Sequence, residues 1–312
     1  MSMCPLNIFD SIGNTPLVEL RKVVPPGSAR VLAKLEWANP TGGMKDRMAK
    51  AAIEGAEAKG LLKPGGTVVE YTGGTTGVSL AFVCAAKGYR FHAVFSDAFS
   101  DEKRRTMEAF GAQVTVVQSE NKMINEKLIK EMIETARTLS RRPEHWWSNQ
   151  LSNQDAVKGY YRLGDEIWSQ TEGKVDAFVH SVGTAHSLHG VTTALWKHNP
   201  KIHITAVEPS ESAVLSGHQS GSHQIEGIGI GFLPPLWDKN LVNEIMSGST
   251  AEAMAMARRL AREEGLFAGT SSGLNALAAL RVAQRLGPGA TVVTLMVDSG
   301  LRYLTTDLYG KG

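Results

Sequence analysis

The chain has 312 residues, 42% hydrophobic and 21% charged, and its 33 Lys+Arg against 31 Asp+Glu leave a net charge of +2. That length suggests one large domain or two of ordinary size, and the apolar fraction excludes a disordered chain. The near-neutral balance gives no electrostatic footprint for nucleic acid or an anionic membrane, so neither is expected as a partner.

The N-terminal Met1-Ser2-Met3-Cys4-Pro5 has no basic region and no apolar run, so no signal peptide is expected. Strands are predicted at Val31–Glu36, Thr67–Tyr71, Phe91–Ser96, Gln113–Val117, Asp176–Val182, Ile202–Glu208 and Thr291–Val297. These runs are β-branched and nearly continuous rather than alternating, as strands buried on both faces should be. Helices are predicted at Val78–Lys87, Glu102–Phe110, Asn125–Leu139 and Thr250–Glu264. The last opens with Ser249 and Glu252, a capping-box pattern, and stops at Gly265. Such alternation predicts an α/β protein of two lobes, each a mostly parallel twisted sheet covered by helices. The polar stretch Ser140–Ser152 is the expected seam between them.

No run approaches the roughly 18 apolar residues a membrane span requires. Two cysteines, Cys4 and Cys84, cannot build a disulfide framework or a Cys-type zinc site, which fits a reducing compartment and a cytoplasmic location. The nine histidines are scattered without metal-binding spacing, so no metal is expected.

Glycine is in surplus, with 32 in the chain against a usual share of about 7%, and it clusters where predicted strands give way to helices. Those are the carboxyl ends of strands, where α/β proteins carry ligand loops. Thr72-Gly73-Gly74-Thr75-Thr76-Gly77 follows one strand, and Gly183-Thr184-Ala185-His186-Ser187 follows another. Backbone N–H groups and hydroxyls at a helix start can cradle a carboxylate or phosphate, although one such loop alone is also ordinary turn chemistry. Gly227-Ile228-Gly229-Ile230-Gly231 lacks the third-glycine spacing of a dinucleotide fingerprint and runs into Pro234-Pro235. Gly269-Thr270-Ser271-Ser272-Gly273 matches a nucleophile elbow, but the last histidine, His223, precedes the serine. A hydrolase of that type needs the reverse order, so this class is remote.

The turn Asn39-Pro40-Thr41-Gly42-Gly43 leads into Met44-Lys45-Asp46-Arg47, which starts a helix-like stretch. A lysine at a helix start is ordinarily a solvated surface charge opposed by the dipole. Put there by function, it has a lowered pKa and a neutral amine able to form a Schiff base.

Taken together, these segments resemble the cysteine synthase (O-acetylserine sulfhydrylase) and cystathionine β-synthase family of pyridoxal-phosphate enzymes, fold type II. Ile12-Gly13-Asn14-Thr15-Pro16-Leu17 is similar to the family's IGNTPL, and Asn39–Arg47 to its NPTGSVKDR. Thr72–Gly77 aligns with TSGNTG, Gly183–Ser187 with GTGGT, and Gly227–Phe232 with GIGAGF. Gly269–Gly273 is similar to GISSG, and Asp298–Leu304 to SSGERYL. The match runs almost end to end and implies the tryptophan synthase β-like fold. It implies a smaller mobile domain, 45–150, and a larger phosphate-binding domain, 1–44 plus 151–312.

The resemblance makes Lys45 the counterpart of the Schiff-base lysine. It implies cofactor contacts from Thr75, Gly183, Thr184, Ala185, His186 and Ser187, with Ser271 facing the pyridine nitrogen. Substrate contacts fall on Thr72, Gly73, Gly74, Thr75, Thr76, Gln150 and Gly227. Pyridoxal 5'-phosphate is then the cofactor, and a neutral serine at its ring nitrogen favours loss of a β-leaving group over transamination. The implied activity is replacement on an activated serine such as O-acetylserine, with sulfide or a related nucleophile, by a homodimer. Alternatives are β-elimination from cysteine or serine, replacement with an amine or amino-acid nucleophile, and, remotely, a non-catalytic cofactor-binding homologue.

The chain departs from the family at Gly73 and Thr75, which stand for Ser and Asn, and at Ala185-His186-Ser187, which stand for Gly-Gly-Thr. Leu151 and Leu301 replace an aromatic residue and a glutamate. Gly73 is expected to remove a donor and open space in the pocket.

Overall fold

The computed structural model describes residues 7–122, 124 and 126–310; Cys4 and Asn125 lie outside the described residues. The strands are β1 (Leu17–Leu20), β2 (Arg30–Leu35), β3 (Thr67–Tyr71), β4 (Arg90–Ser96), β5 (Gln113–Val117), β6 (His145–Trp147), β7 (Ala177–Ser181), β8 (His203–Pro209), β9 (Glu244–Gly248) and β10 (Thr291–Met296). They form a six-stranded sheet in the order β1-β2-β10-β7-β8-β9 and a four-stranded sheet in the order β5-β4-β3-β6. Only the β1–β2 pairing is antiparallel among these neighbours. Every residue of β3, β7 and β10 is buried, which is why these strands read as continuous apolar runs.

The helices are α1 (Lys45–Ala58), α2 (Thr75–Lys87), α3 (Asp101–Ala109), α4 (Glu126–Ser140), α5 (Gln154–Lys158), α6 (Tyr161–Gln170), α7 (His186–His198), α8 (Thr250–Arg259) and α9 (Thr270–Leu286). The predicted α/β architecture of two helix-covered, largely parallel sheets is what the chain adopts. Helix α1 joins the two cores. Its Met48 and Ala52 pack with Phe178 and Leu295 of the larger sheet, while Ala49, Ile53 and Ala56 pack with Val68 and Phe91 of the smaller. No described helix is long and apolar enough to cross a membrane.

Three local differences from the sequence reading have physical causes. Helix α2 starts at Thr75 rather than Val78, because the Thr72 hydroxyl accepts the N–H groups of Gly74 and Gly77, each at 2.9 Å. The segment expected as one helix from Thr250 is α-helical to Arg259 and finishes in a π turn, Leu260–Glu264, with Gly265 at φ +73°. The polar stretch Ser140–Ser152 contains β6, whose residues pair with Thr67–Val69 of β3. Strands β1, β6 and β9 escaped the sequence reading because they are short and mostly only half-buried.

A buried ionic cluster fastens the start of α1 to the larger sheet. Arg47 donates to Glu36 at 2.7 and 2.9 Å and to Glu166 at 2.9 and 2.8 Å, and Lys34 pairs with Glu166 at 2.8 Å. Burial pushes the Glu166 carboxyl up, but the Arg47 and Lys34 contacts outweigh it and hold the group at about 2. Removing one partner from such a cluster leaves an uncompensated buried charge, at a cost of about 3–5 kcal/mol.

Candidate active site

The turn before α1 is pinned on both flanks of Lys45. Asp46 accepts from the Thr41 N–H at 2.8 Å and its hydroxyl at 2.6 Å, and Arg47 is held in the ionic cluster. Arg302 donates to the Thr41 carbonyl, and the Met44 N–H donates to Val297 O at 3.0 Å. With both neighbours anchored inward, Lys45 is left to face a cavity of about 330 Å³. Burial lowers its amine from 10.5 to about 8, opposed by the nearby Asp298 carboxylate. The field at a helix start acts in the same direction as burial.

Thr72, Gly73, Gly74, Thr75 and Thr76 form one wall of this cavity, joined by Gln150, Thr184 and Gly227. Gln150 is fixed at both ends: its Oε1 accepts from the Thr76 hydroxyl at 2.8 Å, and its Nε2 donates to the Tyr71 carbonyl at 2.7 Å. Its backbone N–H donates to Glu70 at 2.9 Å, and Glu70 also accepts from the Ser148 hydroxyl and the Trp147 indole. Burial raises the Glu70 carboxyl to about 7, against those donors. Sequence reasoning missed Glu70, although a charged residue inside an apolar, doubly buried strand is a readable signal.

The space expected at Gly73 is occupied. A Cβ there would lie 3.0 Å from the Phe99 ring, so an aromatic edge stands where a side chain would extend. Phe99 is itself stacked at a tilt on Phe95, with ring centroids 5.6 Å apart. Across the cavity rim, Lys103 of α3 is ion-paired with Glu226, beside Gly227.

Gly183, Ala185, His186, Ser187 and Ser271 do not line the cavity; they form two adjoining buried helix starts. At α7, Ala185 adopts φ +68°, so the backbone keeps a left-handed turn without the glycine that would adopt it freely. His186 is the first residue of α7, fully buried rather than an exposed loop side chain, with Nδ1 2.7 Å from the Thr184 hydroxyl. Burial, then the Lys45 charge, lowers its imidazole to about 3. Ser271 is the second residue of α9 and is buried. The nearby histidines direct their bonds elsewhere, His180 to Ser187 and Asn275, and His186 to Thr184.

The start of α7 fits a phosphate. No side chain caps it, and the first helical amide to find a backbone acceptor is that of His189, bonded to Ala185 O at 3.0 Å. The preceding amides are open donors at a positive dipole end, which suits a dianion. A Cβ at Gly183 would lie 2.3 Å from Gly227 O, so only glycine lets the two loops approach this closely.

The sequence model for pyridoxal-phosphate dependent enzymes matches residues 8–298, and the chain belongs to that family. It is a pyridoxal-phosphate dependent enzyme of fold type II. It is 43% identical over 306 residues to a cysteine synthase of Staphylococcus aureus, covering 97% of this chain and 96% of that protein. The crystal structure of a cysteine synthase from Entamoeba histolytica superimposes with a TM-score of 0.92 at 36% identity, covering 100% of this chain and 93% of the other. An O-ureido-L-serine synthase structure gives a TM-score of 0.92 at 35% identity, covering 99% and 98%.

Proposed function

We propose that the protein catalyses pyridoxal-phosphate dependent β-replacement on an activated serine such as O-acetylserine, with sulfide or a related small nucleophile. The observation that carries this reading is Lys45, anchored on both sides yet open to a cavity whose opposite wall is the Thr72–Thr76 turn. Its amine, lowered to about 8, is available to attach the cofactor and, once displaced, to move the α-proton of the substrate. Gly183, Thr184, Ala185, His186 and Ser187 would hold the phosphate, Thr75 would hold the cofactor from the facing loop, and Ser271 would face the ring nitrogen. Pyridoxal phosphate, when bound, supplies an electron sink for the α-carbon. Thr72, Gly73, Gly74 and Thr76 would receive the substrate carboxylate, with Gln150 and Gly227 beside them. The fixed ends of Gln150 support this placement, because a preset amide needs no reordering when a ligand arrives.

The same reading divides the chain into a smaller mobile unit, 45–150, and a larger one, 1–44 plus 151–312. The pairing of β3–β6 among themselves, away from the other sheet, supports it. A cytoplasmic homodimer completes the proposal; light scattering on the purified chain tests its dimeric part.

The deciding experiment mixes the holoenzyme with O-acetylserine and sulfide and quantifies cysteine against a Lys45→Ala control. Cysteine formation absent from that control is the expected result; none above it removes the proposal. A second reading, elimination or addition of an amine or amino-acid nucleophile, draws on Phe99 at Gly73, which presents an apolar edge where the family has a serine. It predicts pyruvate from the amino acid alone, or a new adduct when an amine replaces sulfide.

A further inference from the structure

His180 lies near the end of β7, in the middle of the larger sheet, and is buried. A histidine in a strand covered on both faces is costly unless its ring nitrogens are bonded. Both are: Nε2 lies 2.8 Å from the Ser187 hydroxyl on α7, and Nδ1 lies 3.3 Å from Nδ2 of Asn275 on α9. The direction of this relay is set by the backbone. The Ser181 N–H donates to Asn275 Oδ1 at 2.7 Å, and Asn275 Nδ2 donates to the Leu295 carbonyl at 2.9 Å. Those two bonds fix which end of the amide is oxygen and which is nitrogen. The second proton on Nδ2 therefore points at His180 Nδ1, which must accept it. The ring proton is left on Nε2, which donates to Ser187.

We propose that His180 is a positioning residue for the cofactor, holding the Ser187 oxygen as an acceptor so that the Ser187 proton is free to donate to the phosphate at the open start of α7. Asn275, one turn after Ser271 on the same helix, selects the tautomer. The opposite tautomer would set an Nδ1–H against the Asn275 amine, two donors face to face. A charged ring is also disfavoured, because burial and then the Lys45 charge lower His180 to about 3. The arrangement lets a serine act as a fixed donor where family members carry a threonine. This inference rests on the reading that residues 183–187 hold the phosphate, and the test separates the two.

Nitrogen NMR of the full-length protein with labelled histidine should show His180 protonated at Nε2 and bare at Nδ1, both with and without cofactor. A proton on Nδ1 overturns the proposal without any mutation. Dissociation constants for pyridoxal phosphate and for pyridoxal, which lacks the phosphate, supply the second readout. His180→Phe should weaken pyridoxal phosphate on the order of ten-fold and leave pyridoxal unchanged, since the Ser187 hydroxyl is no longer held toward the phosphate and its charge-assisted bond is weakened. His180→Gln, which restores an N–H donor, should recover most of that affinity. Equal weakening of both ligands by His180→Phe would mean a merely structural role and overturn the inference. A Ser187→Ala protein that lost phosphate preference while His180→Phe kept it would overturn this inference alone. A Ser187→Ala protein with unchanged preference would overturn the phosphate-site reading as well.

Discussion

Helices α7 and α8 both begin after a strand of the larger sheet, but their first turns are finished differently. At α8 the chain closes its own end: Ser249 accepts the Glu252 N–H, Glu252 accepts the Ser249 N–H at 2.8 Å, and Glu211 accepts the Thr250 N–H at 2.7 Å. At α7 the corresponding position is Ala185, which has no side-chain acceptor and sits at a positive φ. One helix start is complete in the folded chain; the other presents buried donors that find no acceptor among the described residues. A buried helix end without partners is unfavourable by itself, so its presence beside Lys45 points to an anionic ligand rather than to stability.

The largest test of that contrast is acid. His180 and His186, on the α7 side, have folded values near 3, below the 6.5 of a free imidazole. The unfolded chain therefore binds more protons between pH 3 and 6.5, and stability contributed by the neutral rings is lost as pH falls through that window. The expected loss is about 2 kcal/mol per histidine between pH 6.5 and 5. The α8 end depends on the Glu252 and Glu211 carboxyls, both held below their usual 4.5, so its contribution fades only under more acid conditions. Glu70, raised to about 7, gains stability as pH falls over the same range, so denaturant melts at pH 7 and pH 5 are run on the apoprotein and on a His186→Asn protein. The parent should lose more on acidification, and an equal response would break the contrast.

Gly183→Val is next in size. Its side chain would be forced against the Gly227 carbonyl, spreading the loops and weakening pyridoxal phosphate by roughly 100-fold in a fluorescence titration. Ser249→Ala, at the self-capped helix, should do the reverse: a stability loss of about 1 kcal/mol with cofactor affinity unchanged. The smallest effect belongs to Ala185→Gly. Relief of the left-handed alanine outweighs the added freedom of the unfolded chain, for a gain of about 0.5 kcal/mol in apoprotein stability. A loss there would mean that the turn is not strained.

Much of this was legible in the chain itself. Continuous β-branched runs located β3, β8 and β10 because strands covered on both faces cannot alternate, whereas β5, found by the same pattern, is a half-exposed edge strand. The Ser249–Glu252 pair announced the α8 cap because that motif is local. Lys45 and the Thr72–Thr76 turn were singled out from their surroundings in sequence, and Gln150 through the family resemblance. Other features were not readable, since they depend on residues far apart. Phe99 fills the space beside Gly73, and Lys103 reaches Glu226 across 123 positions. Glu70 and His180, both missed by the sequence reading, are polar residues inside apolar strands, a pattern that carries no hint of their partners.

Sequence alone determined the fold class, the family and the lysine, because periodicity and short motifs are local properties of the chain. Tertiary structure decided what those motifs face: that Lys45 opens on a cavity, that Gly73 is walled by an aromatic ring, and that Asn275, His180 and Ser187 form one directed relay. Hydrogen-bond direction and cavity shape arise only when distant segments meet, and no spacing along the chain encodes them.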